Sequence, residues 1–170
     1  YDVGHIRLVK LRPSLCEHPQ GPLMGLCHQL IQSLPELVSQ GQDAETLEEQ
    51  IQRSPKTLSN TFKQLTDTLQ QQATLHDQVT ARLQLTIDQF EELFRFKRSL
   101  KLEQKQQAEQ AQEDAIAFVK RLTHAARQTE LPIYIALTMR SDFIGECNEL
   151  PGLAEVINEG QFLVPRLTRN

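Results

Sequence analysis

The sequence RLQLTIDQFEELF, at positions 82–94, runs an apolar, β-prone segment straight into a group of carboxylates. The segment predicts a buried strand over residues 83–87. Asp88 follows this strand directly, and Glu91 and Glu92 come three and four positions later. In an open parallel sheet, ligands bind beyond the carboxyl ends of the strands, so Asp88 is predicted to lie where a ligand would bind.

Two interpretations of these carboxylates follow from their chemistry. Asp88 can hold Mg²⁺, usually through water, and Glu91 or Glu92 can polarise a water for attack on a terminal phosphate. Alternatively, Asp88 caps the next helix and the two glutamates complement the dipole of that helix. Because capping is the commoner use of such residues, the neighbouring elements must decide between the two.

Further strand-like runs alternate with helical patterns along the chain. The strands are predicted at Ile6–Leu11, 83–87, 133–139 and 162–164. Apolar residues at helical spacing predict helices near 22–34, 58–69, 115–126 and 153–158. The polar segments near 41–56 and 97–114 are predicted to be variable connections, formed as loop or as loose, solvated helix. This alternation predicts an α/β fold with a parallel sheet and helices on both of its faces.

Composition limits the kinds of partner. With 170 residues the chain has room for one domain with a sizeable core. Its net charge of -4 and pI near 5.7 disfavour a nucleic-acid partner or an anionic membrane surface. No apolar run approaches the length of a membrane span.

The cysteines suggest neither a disulfide framework nor a zinc site. Cys16, Cys27 and Cys147 are odd in number and form no CxxC pair. Cys16 with His18, and Cys27 with His28, lack a second pair at zinc-finger spacing. A reducing cytoplasm is therefore the expected location.

A second polar cluster follows the strand predicted at 133–139. The sequence IALTMRSD places Thr138, Arg140, Ser141 and Asp142 at the end of an apolar run, as RLQLTID does with Asp88. Neighbouring parallel strands bring both clusters to one edge of the sheet. Arg140 can then reach a γ-phosphate, because a guanidinium is a planar donor suited to phosphate oxygens. This favours the phosphate-site interpretation.

Three stretches, LTIDQFEELF, IYIALTMRSDFIGEC and FLVPRLTRN, closely resemble the novel STAND type 1 group of P-loop NTPases, which is often joined to WD repeats. The resemblance covers most of the chain. It implies that Asp88 belongs to Walker B and serves Mg²⁺, and that Glu91 and Glu92 extend this motif toward hydrolysis. It also implies that Arg140 is the sensor 1 residue.

The resemblance further implies a function. Residues 1–170 would be part of the nucleotide-binding domain of a signalling ATPase, which uses ATP with Mg²⁺ as a molecular switch. The expected partners are other domains of the same polypeptide, such as WD repeats and an effector domain, with ligand-induced oligomerisation. An alternative from another class is a non-catalytic interaction scaffold, in which the amphipathic helices bind partners and the Walker B remnant is only structural.

One departure from the family pattern concerns the phosphate cradle. The 170 residues contain no GxxxxGK[ST], and the pair Gly21 and Gly25 lacks the lysine. The P-loop and its strand are therefore expected upstream of Tyr1. In the family's strand order that strand lies between the third and fourth predicted strands, so a gap or a poorly paired last strand is expected there. Gln89 occupies the place where many related ATPases keep a glutamate, which leaves water activation to Glu91 or Glu92.

Overall fold

A computed structural model describes residues 6–12, 21–72, 82–99 and 105–165 of the chain. Within these ranges the strands are β1 (Ile6–Leu11), β2 (Arg82–Ile87) and β3 (Ile133–Leu137). The helices are α1 (Pro22–Ser33), α2 (Pro35–Ser39), α3 (Ala44–Arg53), α4 (Lys56–Gln72), α5 (Glu92–Ser99), α6 (Lys105–Ala126) and α7 (Leu153–Gly160), with a 3-10 helix at Ser141–Glu149. The predicted α/β class is confirmed. Cys16 and His18 lie outside the described residues.

The described strands form one parallel sheet in the order β1-β2-β3. Val9 of β1 lies opposite Leu85 of β2, and Leu85 lies opposite Ile135 of β3. This register aligns the carboxyl ends of all three strands. The clusters that follow β2 and β3 therefore lie at the same edge of the sheet, as the sequence predicts.

One face of the sheet is buried under the helices. Because side chains alternate along a strand, every second residue of each strand points to this face. These residues are Val9, Leu11, Leu83, Leu85, Ile87 and Ile133, each at most 9% exposed. Helices α1, α4 and α6 contact β1, β2 and β3 respectively. The hydrophobic core lies between these helices and the sheet.

The sequence predicts helices on both faces of the sheet, but the opposite face is covered much less than the first. Leu8 of β1 and Tyr134 of β3 each lie opposite Gln84 of β2, and they are 60% and 57% exposed. The chain order of the strands explains this asymmetry. Parallel crossovers are almost always right-handed, so connections that step from β1 to β2 to β3 in one direction all pass over the same face.

Helix α3 forms where the sequence predicts a variable polar connection. The side chain of Asp43 caps it by accepting a hydrogen bond from Thr46 N at 2.7 Å, and Leu47 and Ile51 are buried. The guanidinium of Arg121, on α6, donates to the carbonyl oxygen of Ile51 at 2.9 Å and to that of Gln52 at 3.1 Å. These bonds satisfy carbonyls at the end of α3 and join it to α6.

The fourth predicted strand, 162–164, is not part of the described sheet. Phe162, Leu163 and Val164 are 86%, 65% and 78% exposed. Among the described residues, no strand pairs with the far edge of β3. An open groove of about 970 Å³ lies there, bounded by β3, α6, α7 and residues 161–164. The prediction of a strand at 162–164 is therefore wrong for the described part of the chain, and the far edge of β3 is unpaired there.

Candidate functional site

Backbone hydrogen bonds fix the turn that follows β2 to the strands on either side of it. Asp88 N donates to Leu11 O at 2.8 Å, and Phe90 N donates to Thr138 O at 2.9 Å. Between them, Gln89 has a φ of 59°, in the left-handed region that non-glycine residues rarely adopt. Such backbone strain is concentrated at ligand-binding and catalytic sites, where the surrounding structure holds it in place.

Thr138 holds the carboxylate of Asp88. Its hydroxyl donates to Oδ1 of Asp88 at 2.6 Å and accepts a hydrogen bond from Gln89 N at 3.1 Å. The hydrogen bond from Thr138 is the largest cause that lowers the pKa of Asp88, and the charges of Lys10 and Arg12 lower it further. Asp88 is therefore ionised at neutral pH, as a metal ligand must be.

Two cations from the end of β1 also approach Asp88. Lys10 Nζ lies 3.5 Å and Arg12 Nε lies 3.6 Å from Oδ2 of Asp88. The side chain of Asp88 remains 24% exposed. Its two oxygens thus have different surroundings, a hydroxyl at Oδ1 and positive charge at Oδ2.

Glu91 is a buried carboxylate in the same turn. It is 5% exposed, and its Oε2 has no hydrogen-bond partner among the described residues. Burying a carboxylate oxygen without a partner is costly, so such a group needs an explanation, such as a catalytic role or a bound water or ion. Glu92 is the first residue of α5 and is half-buried. Oε2 of Glu92 is a buried atom as well, so both glutamates carry a buried carboxylate oxygen, and Glu91 is the more deeply buried residue of the two.

Arg140 lies at the predicted edge, but its hydrogen bonds stay within its own loop. Its Nε and Nη2 donate to the two carboxylate oxygens of Asp142 at 3.1 and 2.8 Å. Its Cζ lies 5.8 Å from the ring centre of Phe143, and its side chain is 63% exposed. Thus the structure joins Asp88 to Thr138, while Arg140 is held by Asp142.

The donor set fits Mg²⁺ that is shared with phosphates. Within the described ranges, no group of three or more His, Cys, Asp or Glu is placed to hold a metal ion. Mg²⁺ commonly takes only one or two carboxylates from the protein and completes its shell with water and substrate phosphates. An ionised Asp88 oriented by Thr138 meets that requirement.

Three residues of this site were not assigned a role from the sequence. Thr138 belongs to the polar cluster after the third predicted strand, Lys10 lies in the predicted strand Ile6–Leu11, and Arg12 follows that strand. The argument that places Asp88 at the carboxyl edge of the sheet also applies to these three residues, because they lie at the carboxyl ends of β1 and β3, the strands on either side of β2. The sequences KLRP and ALTM therefore contained the information needed to include them.

Comparison with known proteins gives one match. The family model described as Novel STAND NTPase 1 matches residues 13–170, which include Asp88, Glu91, Glu92 and Arg140. Neither the curated proteins nor the solved structures gave a match to the chain. No helix in the described part of the chain is long and apolar enough to cross a membrane.

Proposed function

Because the chain belongs to the Novel STAND NTPase 1 family, we propose that it forms the nucleotide-binding core of an ATP-dependent molecular switch. The observation that carries this proposal is the contact between Asp88 and Thr138 at the carboxyl edge of a parallel sheet. Ligands bind at this edge in open α/β sheets. The buried, unsatisfied Oε2 of Glu91 in the same turn supports it.

Each residue has a distinct proposed role. Asp88 is the Walker B carboxylate that holds Mg²⁺, and Thr138 orients it. When bound, Mg²⁺ neutralises charge on the phosphates. Glu91 positions and polarises the attacking water, with Glu92 as the second candidate for that role. Arg140 is the sensor, and it exchanges Asp142 for the γ-phosphate when ATP is present.

The motif GxxxxGK[ST] does not occur in the 170 residues, and we propose that another part of the polypeptide supplies the phosphate cradle. A P-loop is a strand, a glycine-rich loop and a helix. The far edge of β3 can accept a strand, and the face that carries Leu8 and Tyr134 can accept a helix. Parallel sheets normally have both faces covered. We propose that a P-loop unit occupies both positions, with its strand between β3 and Phe162–Val164.

The switching function rests on the family alone. We propose that ATP binding and hydrolysis move a larger multidomain protein between two states, and that ligand binding promotes its assembly. Other domains of the same polypeptide, such as WD repeats and an effector domain, would sense the signal and transmit it.

Calorimetry with Mg-ATP tests this proposal. The 170-residue chain should give almost no binding heat, because a metal carboxylate and a sensor without a P-loop leave most phosphate oxygens uncradled. The intact protein should bind Mg-ATP, and Asp88→Asn should weaken that binding. Tight binding by the 170-residue chain would show that the phosphate site is misplaced. Absence of binding by the intact protein would refute the ATPase and favour an interaction scaffold.

A further inference from the structure

Two basic side chains converge on the oxygen of Asp88 that Thr138 leaves available. Lys10 Nζ and Arg12 Nε lie 3.5 and 3.6 Å from Oδ2, whereas the Thr138 hydroxyl binds Oδ1 at 2.6 Å. A good N–H···O hydrogen bond is about 2.7–3.2 Å long. The two cations are thus held near Oδ2 mainly by charge, and Oδ2 does not have a closely fitted donor from either.

Both cations are also largely exposed to solvent. The side chains of Lys10 and Arg12 are 63% and 49% exposed, and both are long. An exposed pair of this kind contributes little to stability. The family match begins at residue 13, after both of them, so their placement at Asp88 is a finding of this structure.

The charge around Oδ2 has a consequence for metal binding. An ammonium and a guanidinium outweigh the single charge of the Asp88 carboxylate, so a free divalent cation that approaches Oδ2 meets two like charges at short range. A divalent cation that arrives with nucleotide phosphates brings negative charge with it. Lys10 and Arg12 can then leave Oδ2 and form charge-assisted hydrogen bonds to phosphate oxygens.

We propose that Lys10 and Arg12 are positioning residues that stay beside Oδ2 of Asp88 until a metal–nucleotide complex binds there. They make the site reject the free divalent cation and accept the cation bound to phosphates. This inference rests on the proposed nucleotide function and adds a coupling between metal and nucleotide. Because coupling between two ligands is reciprocal, the metal then strengthens nucleotide binding by the same factor by which the nucleotide strengthens metal binding.

The test is Mn²⁺ affinity, measured from the electron paramagnetic resonance signal of the free ion, in the intact protein with and without ADP. The variant K10Q/R12Q removes both charges, and K10R/R12K keeps them. A matched control, K56Q/K63Q, removes two exposed charges from α4. Without ADP, K10Q/R12Q should bind Mn²⁺ at least about fivefold more tightly than the wild type, the low end of ordinary coupling between sites. With ADP this gain should disappear or reverse, and the other two variants should match the wild type.

Other outcomes overturn the proposal. If K10Q/R12Q leaves the affinity for free Mn²⁺ unchanged or weaker, the cations do not exclude the metal. If neither this variant nor the wild type binds free Mn²⁺, something other than Lys10 and Arg12 excludes it. Asp88→Asn separates this failure from failure of the nucleotide site. If the site exists, Asp88→Asn weakens Mn²⁺ binding in the presence of ADP, whatever K10Q/R12Q does.

Discussion

Replacing Thr138 by valine tests how the metal carboxylate is held. Valine keeps the shape of threonine and removes the hydroxyl, which deletes the 2.6 Å bond to Asp88 Oδ1 and the acceptor of the 3.1 Å bond from Gln89 N. The backbone bonds from Asp88 N to Leu11 O and from Phe90 N to Thr138 O do not involve the hydroxyl. The turn should therefore stay folded while the carboxylate loses its orientation.

Loss of a hydrogen bond that orients a metal ligand typically costs about 10–100-fold in metal affinity or activity. We expect Thr138→Val to weaken Mg-nucleotide binding by the intact protein by about that factor, as measured by calorimetry, with little change in melting temperature. Thr138→Ser keeps the hydroxyl and should bind nearly as the wild type does. The matched control is Thr61→Val, because among the described residues the hydroxyl of Thr61 donates to Thr57 O in its own helix, away from Asp88.

The reasoning fails if Thr138→Val binds Mg-nucleotide as tightly as the wild type. It also fails if Thr61→Val weakens binding as much as Thr138→Val, since that would indicate a general effect on the fold.

Three further predictions concern the stability of the fold. Arg121→Met should lower the free energy of unfolding in urea by about 2 kcal/mol, because it removes two partly exposed charged hydrogen bonds to the end of α3; exposed Arg127→Met should change it little. Gln89→Val should lower the same free energy by about 1–2 kcal/mol, since a β-branched residue tolerates a φ of 59° poorly, and Gln89→Gly should not lower it. Burial raises the pKa of Cys27 from 9.0 to about 12. The stability from keeping this thiol neutral is complete below pH 9 and is lost as the pH rises toward 12, so Cys27→Ala should show a smaller fall in melting temperature between pH 8 and 10 than the wild type shows.

The sequence was sufficient to predict β1, β2 and β3 and their parallel direction, whereas the strand predicted at 162–164 was wrong. The apolar runs at β1, β2 and β3 alternate with helices, and this alternation allows little besides a parallel sheet. Coverage of the faces was harder to predict, because it depends on the direction in which the crossovers step. For the segment of α3 the sequence left loop and loose helix open because the segment is mostly polar, although Asp43 as cap and the spacing of Leu47 and Ile51 marked a packed helix.

The candidate site was predicted in position but not in its contacts. Asp88 lies at the edge that its place after β2 indicates, and β3 brings Thr138 to it. The sequence pattern could not show that Thr138 would contact Asp88 while Arg140 turns to Asp142. The directions of the Thr138 and Arg140 side chains depend on the conformation of the loop after β3. A sequence pattern does not specify that conformation. Burial of Glu91, rather than Glu92, likewise depends on how α5 packs.

The most direct test of the proposed ATPase is the turnover of the Glu91→Gln variant of the intact protein at saturating Mg-ATP, expressed per molecule of bound ATP. If the buried carboxylate of Glu91 activates water, ATP affinity should change little and turnover should fall about a hundredfold or more, the usual loss for a positioned acid–base group. Unchanged turnover per folded molecule in both Glu91→Gln and Glu92→Gln, with only a lowered melting temperature, would contradict the account and leave the carboxylates of LTIDQFEELF as the acidic start of a helix.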